Sequence, residues 1–371
     1  MSKLSDICAI NMGQSPDSST YNDSGNGLPF FQGNADFGKV HPSVRVWCSD
    51  PKKTAQPNDI LISVRAPIGA LNIADVQCCI GRGLASLTVD HTKGDSNYVW
   101  YALESKVNYL VSMGTGSTFK AIGKNVLFDL DIPLPSLSTQ KQIAANLDKA
   151  TQTIDLCNAI LEKLDLLVKA RFVEMFGSCN ESKRLEEYTE LITKGASPKW
   201  QGIDYSDEGT LFVTSENVRE GYLDFTKKKY LPNDINKILP RSVLKRNDIL
   251  INIVNASIGR VAIYDSDELA NINQAVALVR LKQNSLNLLY LLTYLNSDDA
   301  IRAYDFMKVG GDKANLSLKN IADLKIPVAP LELQNQFADF VKQIDKSKFA
   351  VQQVLAKAET LKKALMQEYF G

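Results

Sequence analysis

The side chains of this chain best suited to chemistry are planar hydrogen-bonding groups and cations set in polar, glycine-rich stretches. In the first half Gly13 to Asn34 carries Gln14, Ser15 and Asn34, and Arg65 follows an apolar run. Arg82 stands between two glycines in Ile80-Gly81-Arg82-Gly83, and Thr115, Ser117, Lys120 and Lys124 share the stretch GTGSTFKAIGK. In the second half Lys194, Ser197 and Lys199 fall in TKGASPKWQ, and Ser215, Asn217 and Arg219 in SENVR. Asn255, Asn273, Gln274, Lys308 and Lys313 follow. Arginine is shaped to donate two hydrogen bonds to the guanine edge, and Asn or Gln to exchange two with adenine. Lysines and backbone amides hold phosphates. Glycine lets the backbone approach a phosphate closely. The set therefore suits readout of nucleic acid by loops, although each member also has a structural use: Arg65 or Arg82 can pair with a carboxylate, and Asn273 can cap a turn.

Chemistry of other kinds is poorly provided for. The two histidines, His41 and His91, both lie in the first half, so a Ser-His-Asp or Cys-His arrangement is not expected. The Asn/Asp-Pro-Pro-aromatic loop of an adenine methyltransferase does not occur. A nucleotide-binding GxxxxGK[ST] loop fails at Gly123-Lys124, where Thr118 replaces the first glycine and Asn125 the hydroxyl residue. Cys8, Cys48, Cys78, Cys79, Cys157 and Cys179 form no CxxC pair, so they are expected to be reduced packing residues, with no metal bound. Lys plus Arg and Asp plus Glu both number 42, and they roughly balance within each half, so DNA contact has to come from local patches. No apolar run approaches a membrane span, and MSKLSDICAI lacks the form of a leader; a cytoplasmic location is expected.

The elements that position these residues come in two copies. NDILISVRAPIGAL (58 to 71) returns as NDILINIVNASIGRVA (247 to 262), keeping Asp59/Asp248 and the Ile-Gly pairs Ile68-Gly69 and Ile258-Gly259. This reads as strand, turn, strand, twice. DLDIPLPSLSTQKQIAANLDKA (129 to 150) returns as DLKIPVAPLELQNQFADFVKQID (323 to 345), and Met175-Phe176-Gly177 as Tyr369-Phe370-Gly371. Looser matches set Gly13-Gln14-Ser15-Pro16 against Gly195-Ala196-Ser197-Pro198. The period of roughly 190 residues far exceeds that of solenoid repeats, so each copy is a domain with a helical tail.

The tails carry heptad seams. Ile143, Leu147, Ala150, Ile154, Cys157, Leu161, Leu164, Val168 and Met175 recur at steps of four and three with no Pro or Gly between Thr139 and Phe176. Phe337, Val341, Ile344, Val351, Leu355, Ala358, Leu365 and Tyr369 repeat the pattern, with Lys348 and Lys362 intruding on the register. Serines or Glu332 precede each helix and glycine follows it. At 1.5 Å per residue, about 38 residues make roughly 57 Å, more than a domain core requires, so each seam's natural partner is the other. The alternative is each helix lying on its own domain.

The NDIL…IG element in each half, the Ile-Pro-Leu-Pro and Ile-Pro-Val-Ala-Pro segments running into Gln140-Lys141-Gln142-Ile143 and Gln334-Asn335-Gln336-Phe337, and the twin helices together resemble type I restriction-modification specificity subunits. The resemblance covers essentially the whole chain. It implies an α+β fold: two mainly β target-recognition domains (1–137 and 179–331) separated by two long antiparallel helices (138–178 and 332–371) forming a coiled coil. It further implies that each domain reads half of a split site in double-stranded DNA, and that the helices set the gap and dock two methyltransferase subunits. Two restriction/motor subunits would complete the assembly, with S-adenosylmethionine, ATP and Mg bound by the partners and none by this chain. A methylation-only complex, or a coiled-coil scaffold that binds no nucleic acid, remain open alternatives. The neutral charge departs from that of a free-standing DNA binder, and implies that tight binding needs the partners' phosphate contacts.

Overall fold

The computed structural model describes residues 1–116, 120–310 and 314–371. The chain forms two compact units: Met1–Asn158 with Gln352–Gly371, and Ala159–Val351. The division cuts through both long helices, Leu137–Phe176 and Leu331–Phe370, so each unit takes in the start of one and the end of the other.

Each unit is built on an antiparallel sheet of the same order. In the first it runs Cys8–Met12, Leu84–Val89, Ile60–Ser63, Leu71–Ile73; in the second Thr189–Lys194, Val276–Leu281, Asp248–Asn252, Val261–Tyr264. The Asn-Asp that opens each NDIL element has a local cause. Asn58 and Asn247 adopt left-handed backbone (φ 71° and 72°), which Asn tolerates better than most residues. The next carboxylate closes the turn: Asp59 accepts from the Gln56 amide at 2.8 Å and Asp248 from the Lys245 amide at 2.7 Å. The following run is continuously apolar because both faces of the strand are covered. Ile60 and Ile62 pack with the helical layer around Tyr98 and Leu103, while Leu61 packs with Phe31, Cys78 and Ile80. Ile249, Ile251 and Leu250 divide in the same way.

A second sheet covers that other face. Its centre is a parallel pair, Leu28–Phe31 with Cys78–Ile80 in the first unit and Thr210–Val213 with Ala270–Ile272 in the second. With the pair included, this sheet has five strands in the first unit and three in the second. Cys8, Cys78 and Cys79 are buried in these layers, where desolvation pushes each thiol up to about 12. They remain protonated and unreactive at neutral pH.

The IP…Q segments prove to be seats for the long helices. Tyr98 donates from its hydroxyl to Pro133 O (2.8 Å), and Tyr290 to Pro327 O (2.9 Å). Gln140, fully buried, accepts from the Asp95 amide and donates to Lys93 O and Pro135 O. Gln334 accepts from the Asn287 amide and donates to Ala329 O. A buried amide with unmet hydrogen bonds would be costly, so these glutamines fix each helix start against the domain that precedes it in sequence.

The seam residues are buried or half-buried in each unit, those near each helix start against the core of the domain that precedes it. In the first unit Ile143 and Leu147 are buried and Ile154, Leu355 and Leu365 half-buried; in the second Phe337, Val341 and Ile344 are buried and Leu161, Leu164, Val168 and Val351 half-buried. Within the second unit Asp165 pairs with Lys348, Arg171 lies over Phe340, and Phe172 and Phe176 meet Phe337. One helix descends in number as the other rises, so they run antiparallel there. The first unit joins Ile143 and Leu147, near the start of one helix, to Leu365, Met366 and Phe370, near the end of the other, in one cluster. The two lysines that interrupt the seam are accommodated by carboxylates, Lys348 by Asp165 and Lys362 by Glu104 at 3.0 Å.

Candidate nucleic-acid interface

Four backbone hydrogen bonds gather the candidate loops of the first unit at one end of its sheets. Gly13 donates to Leu84 O (2.9 Å), Gly81 to Phe31 O (2.8 Å), Val64 to Gly83 O (2.9 Å) and Ala66 to Lys120 O (3.1 Å). The segments around Gln14, Asn34, Arg65, Arg82 and Lys120 become neighbours although they are far apart in sequence. Glycine is required at the closest approaches. A Cβ on Gly83 would strike Gln32 O, and one on Gly13 would strike Gly81 O. Ser15 Oγ accepts from the Arg82 amide at 3.3 Å, which ties the first loop to the arginine turn.

The second unit repeats the frame. Gly195 donates to Val276 O (3.4 Å), Asn273 to Val213 O (3.0 Å), Ile253 to Ala275 O (3.0 Å) and Asn255 to Ala314 O (2.8 Å). These bonds bring together Lys194, Ser215, Asn255, Asn273 and Gln274. Asn252, buried, donates to Ser215 O at 3.0 Å. Gln274 is exposed, as is Asn255, whose backbone is left-handed at φ 55°. Asn273 Oδ1 accepts from the Ala275 amide at 3.2 Å, so this side chain is partly committed to its own turn. Ser197 is half-exposed and Lys199 exposed on the turn that follows.

In the first unit the loops border a half-open cavity of about 160 Å³ lined by Gln32, Asn34, Ser63, Arg65, Arg82 and neighbouring backbone. Arg65 and Arg82 are exposed, and among the described residues neither has a carboxylate within ion-pair distance. Two unpaired guanidiniums beside planar amides present a dense array of donors, suited to an electron-rich edge or an anion. Cations of the second unit are more often paired: Arg219 with Asp224 at 3.5 Å and Lys308 with Asp305 at 2.7 Å.

Several expectations need correcting. Asn217 is 4% exposed, and its amide is consumed inside the protein: Oδ1 accepts from Thr214 N and Oγ1, and Nδ2 donates to Asp224 O and Lys227 O. It holds the loop's shape and presents nothing to a ligand. Lys124 turns back over the Phe128 ring, 4.4 Å from its centroid, on a short helix that packs against Leu4–Asp6 at the opposite end of Cys8–Met12 from Gly13. Thr115 is exposed and bridges to Ala121. Ser117 and Lys313 lie outside the described residues.

Other members of the site escaped the sequence reading. Gln32 and Ser63 line the cavity with the arginines; Gln32 could have been found from its place in Gln32-Gly33-Asn34, between a strand and a turn. Trp200 is 86% exposed and Phe306 92% exposed on the second unit. Trp200 falls within the stretch TKGASPKWQ, whereas nothing in the sequence around Phe306 marks it as exposed. Among the described residues no group of His, Cys, Asp and Glu is placed to hold a metal ion, and no helix is long and apolar enough to cross a membrane.

Comparison with known proteins gives the arrangement its context. A family model described as "Type I restriction modification DNA specificity domain" matches residues 1–166 and again 180–360. The chain is similar to a "Putative type I restriction enzyme MjaX specificity subunit" of Methanocaldococcus jannaschii, 44% identical over 159 residues, covering 42% of this chain and 37% of the relative. It is similar to the "Type I restriction enzyme MjaVIII specificity subunit" of the same organism at 25% over 270 residues, covering 68% and 64%. The "Type I restriction enzyme EcoBI specificity subunit" of Escherichia coli is 21% identical over 347 residues, covering 85% and 73%. The chain thus spans less than two thirds of the length of the first two relatives. Among solved structures, the type I restriction-modification S subunit from M. genitalium superposes with a TM-score of 0.61 at 16% identity, covering 100% of this chain and 95% of that one. A chain from a structure titled for complex assembly and conformational transition of the type I R-M system gives 0.64 at 16%, covering 100% and 96%. At that identity the likeness is one of fold.

Proposed function

The chain belongs to the type I restriction-modification DNA specificity family, and from that premise we propose that each unit reads one half of a bipartite site in double-stranded DNA. The paired long helices set the gap between the half-sites and dock two methyltransferase subunits, and two restriction/motor subunits complete the assembly in the cytoplasm. The chain performs no catalysis; S-adenosylmethionine, ATP and Mg belong to the partners. The observation that supports this reading is the duplicated loop cluster. The same four backbone hydrogen bonds recur in both units, while the side chains they present differ. A protein with two different targets of one kind needs that combination, because the frame aims the loops and their contents choose the bases.

The neutral overall charge supports dependence on partners, since affinity for duplex DNA rests chiefly on phosphate neutralisation. The test is co-expression with a methyltransferase subunit, followed by sequencing of the adenines that become methylated. A split motif with a fixed gap is expected. Co-purification without any motif favours the scaffold; adding the restriction/motor subunit separates the other two readings, because a motif methylated without ATP-dependent cleavage even then marks a methylation-only complex. Inserting four residues between Leu156 and Leu164 is expected to change the gap or abolish binding; an unaltered motif overturns the role given to the helices.

A further inference from the structure

The two reading faces can be superposed residue by residue through their hydrogen bonds, and the comparison isolates one position. Leu84 pairs with Ser63 across the first sheet as Val276 pairs with Asn252 across the second. Gly81 and Asn273 each donate to the end of the parallel strand, at Phe31 O and Val213 O, and the carbonyls of Gly83 and Ala275 accept from Val64 and Ile253. The residue enclosed by these bonds is Arg82 in the first unit and Gln274 in the second, each exposed between neighbours that are buried or half-buried. Arg65 and Val254 correspond likewise, each bridged to the loop that follows, at Ala121 and Asn315.

We propose that this position reads a base in each half-site: Arg82, backed by Arg65, a guanine in the first, and Gln274 an adenine in the second. The inference rests on the reading proposed above and gives its two sites different chemical content. Arg82 and Arg65 line one small cavity with Gln32 and Asn34 and no carboxylate. Like charges brought together there favour an occupant rich in acceptors, and guanine O6 and N7 match a guanidinium fork. A phosphate would satisfy the same donors, but the second unit argues against it. A phosphate contact draws most of its strength from a cation, which Gln274 does not supply, whereas Gln pairs twice with adenine N6 and N7. The exchange of Arg for Gln on one frame is an exchange between two base-reading groups.

The decisive experiment uses the full chain in complex with its methyltransferase and begins with the unaltered protein. Once the methylated motif is known, each guanine of the first half-site is replaced in turn by 7-deazaguanine, which removes N7 and leaves the base pair. One replacement is expected to weaken binding about 5- to 150-fold, the range of a bidentate contact, and Arg82→Ala is expected to abolish that sensitivity while sparing the second half-site. Arg82→Gln is expected to shift the preference at that base from guanine to adenine, and Gln274→Arg to make the reverse shift in the second half-site. No sensitive guanine in the first half-site overturns the proposal. So does an Arg82→Ala variant that binds every sequence more weakly by one factor with a shallower salt dependence, because that is the behaviour of a phosphate contact. Should Arg82 variants fail to assemble, the analogue scan and Gln274→Arg decide alone. A bipartite motif with neither response defeats this assignment only; the absence of any sequence preference defeats the reading beneath it.

Discussion

The two units share a frame and differ in what they hang on it. Both close the Asn-Asp turn through a carboxylate, seat a helix with a buried glutamine, and gather their loops with the same backbone hydrogen bonds. They part company at side chains. Asp248, 1% exposed, is paired with Arg280, whereas Asp59 is equally enclosed and faces Thr88 at the corresponding place on the neighbouring strand. Phe172, Phe176, Tyr290 and Phe337 form one aromatic cluster in the second unit. The first has Tyr98 and Phe370 with Met366 and Ile143 in the other two positions. Backbone bonds specify the fold, and the side chains are free to diverge where another packing of equal volume or charge serves.

That division predicts which substitutions act on one unit and which act on both. The largest effect is expected from Arg280→Ala, which leaves Asp248 buried without its cation and should destabilise the second unit by about 3–5 kcal/mol. Thr88→Ala should change the first by less than about 0.5 kcal/mol. Hydrogen exchange resolved onto the two antiparallel sheets measures each unit separately, and equal losses would show that the ion pair is dispensable. Phe172→Ala should follow at about 3–5 kcal/mol, with the half-buried Met366→Ala costing roughly half as much; a larger loss at Met366 would reverse the ranking of the two helix seats. Gln140→Ala and Gln334→Ala test the shared part. Each strands buried backbone groups, and the two should cost alike, about 2–3 kcal/mol, so a difference above ~1 kcal/mol would mean the seats are not equivalent. Of the substitutions that remove a partner, the smallest effect is expected of Lys348→Ala and Lys362→Ala, whose carboxylate partners are solvent-facing, at under about 1 kcal/mol each by thermal unfolding.

Much of the frame was legible in the sequence because it is written in local or periodic signals. Proline- and glycine-free heptads predict the long helices, the repeated Asn-Asp and Ile-Gly predict the strand–turn–strand element, and the duplication predicts two units. Sheet order was not legible, because it depends on pairings between distant segments such as Cys8–Met12 with Leu84–Val89. The site was legible as a set of loops but not as a set of side chains. Asn217 and Gln274 are both exposed-looking amides in polar stretches. One spends its hydrogen bonds inside the protein and the other presents them outward, and only the fold separates the two. Lys124 shows the same limit, its cation having found Phe128 on its own helix. The role of Gln140 and Gln334 was in plain view as a repeated residue, but its meaning required knowing which amide it meets.

The seating of Phe370 against Tyr98 in the first unit bears on how the protein is made. Lys106 in that unit also donates to Phe370 O, a partner 264 residues away along the chain. At translation rates of roughly 5–20 residues per second, the ribosome needs on the order of 15–50 s to deliver it. For most of that interval the nascent first half lacks the Leu365, Met366, Tyr369 and Phe370 side chains that share a cluster with Ile143 and Leu147, and the half synthesised first is the last to close.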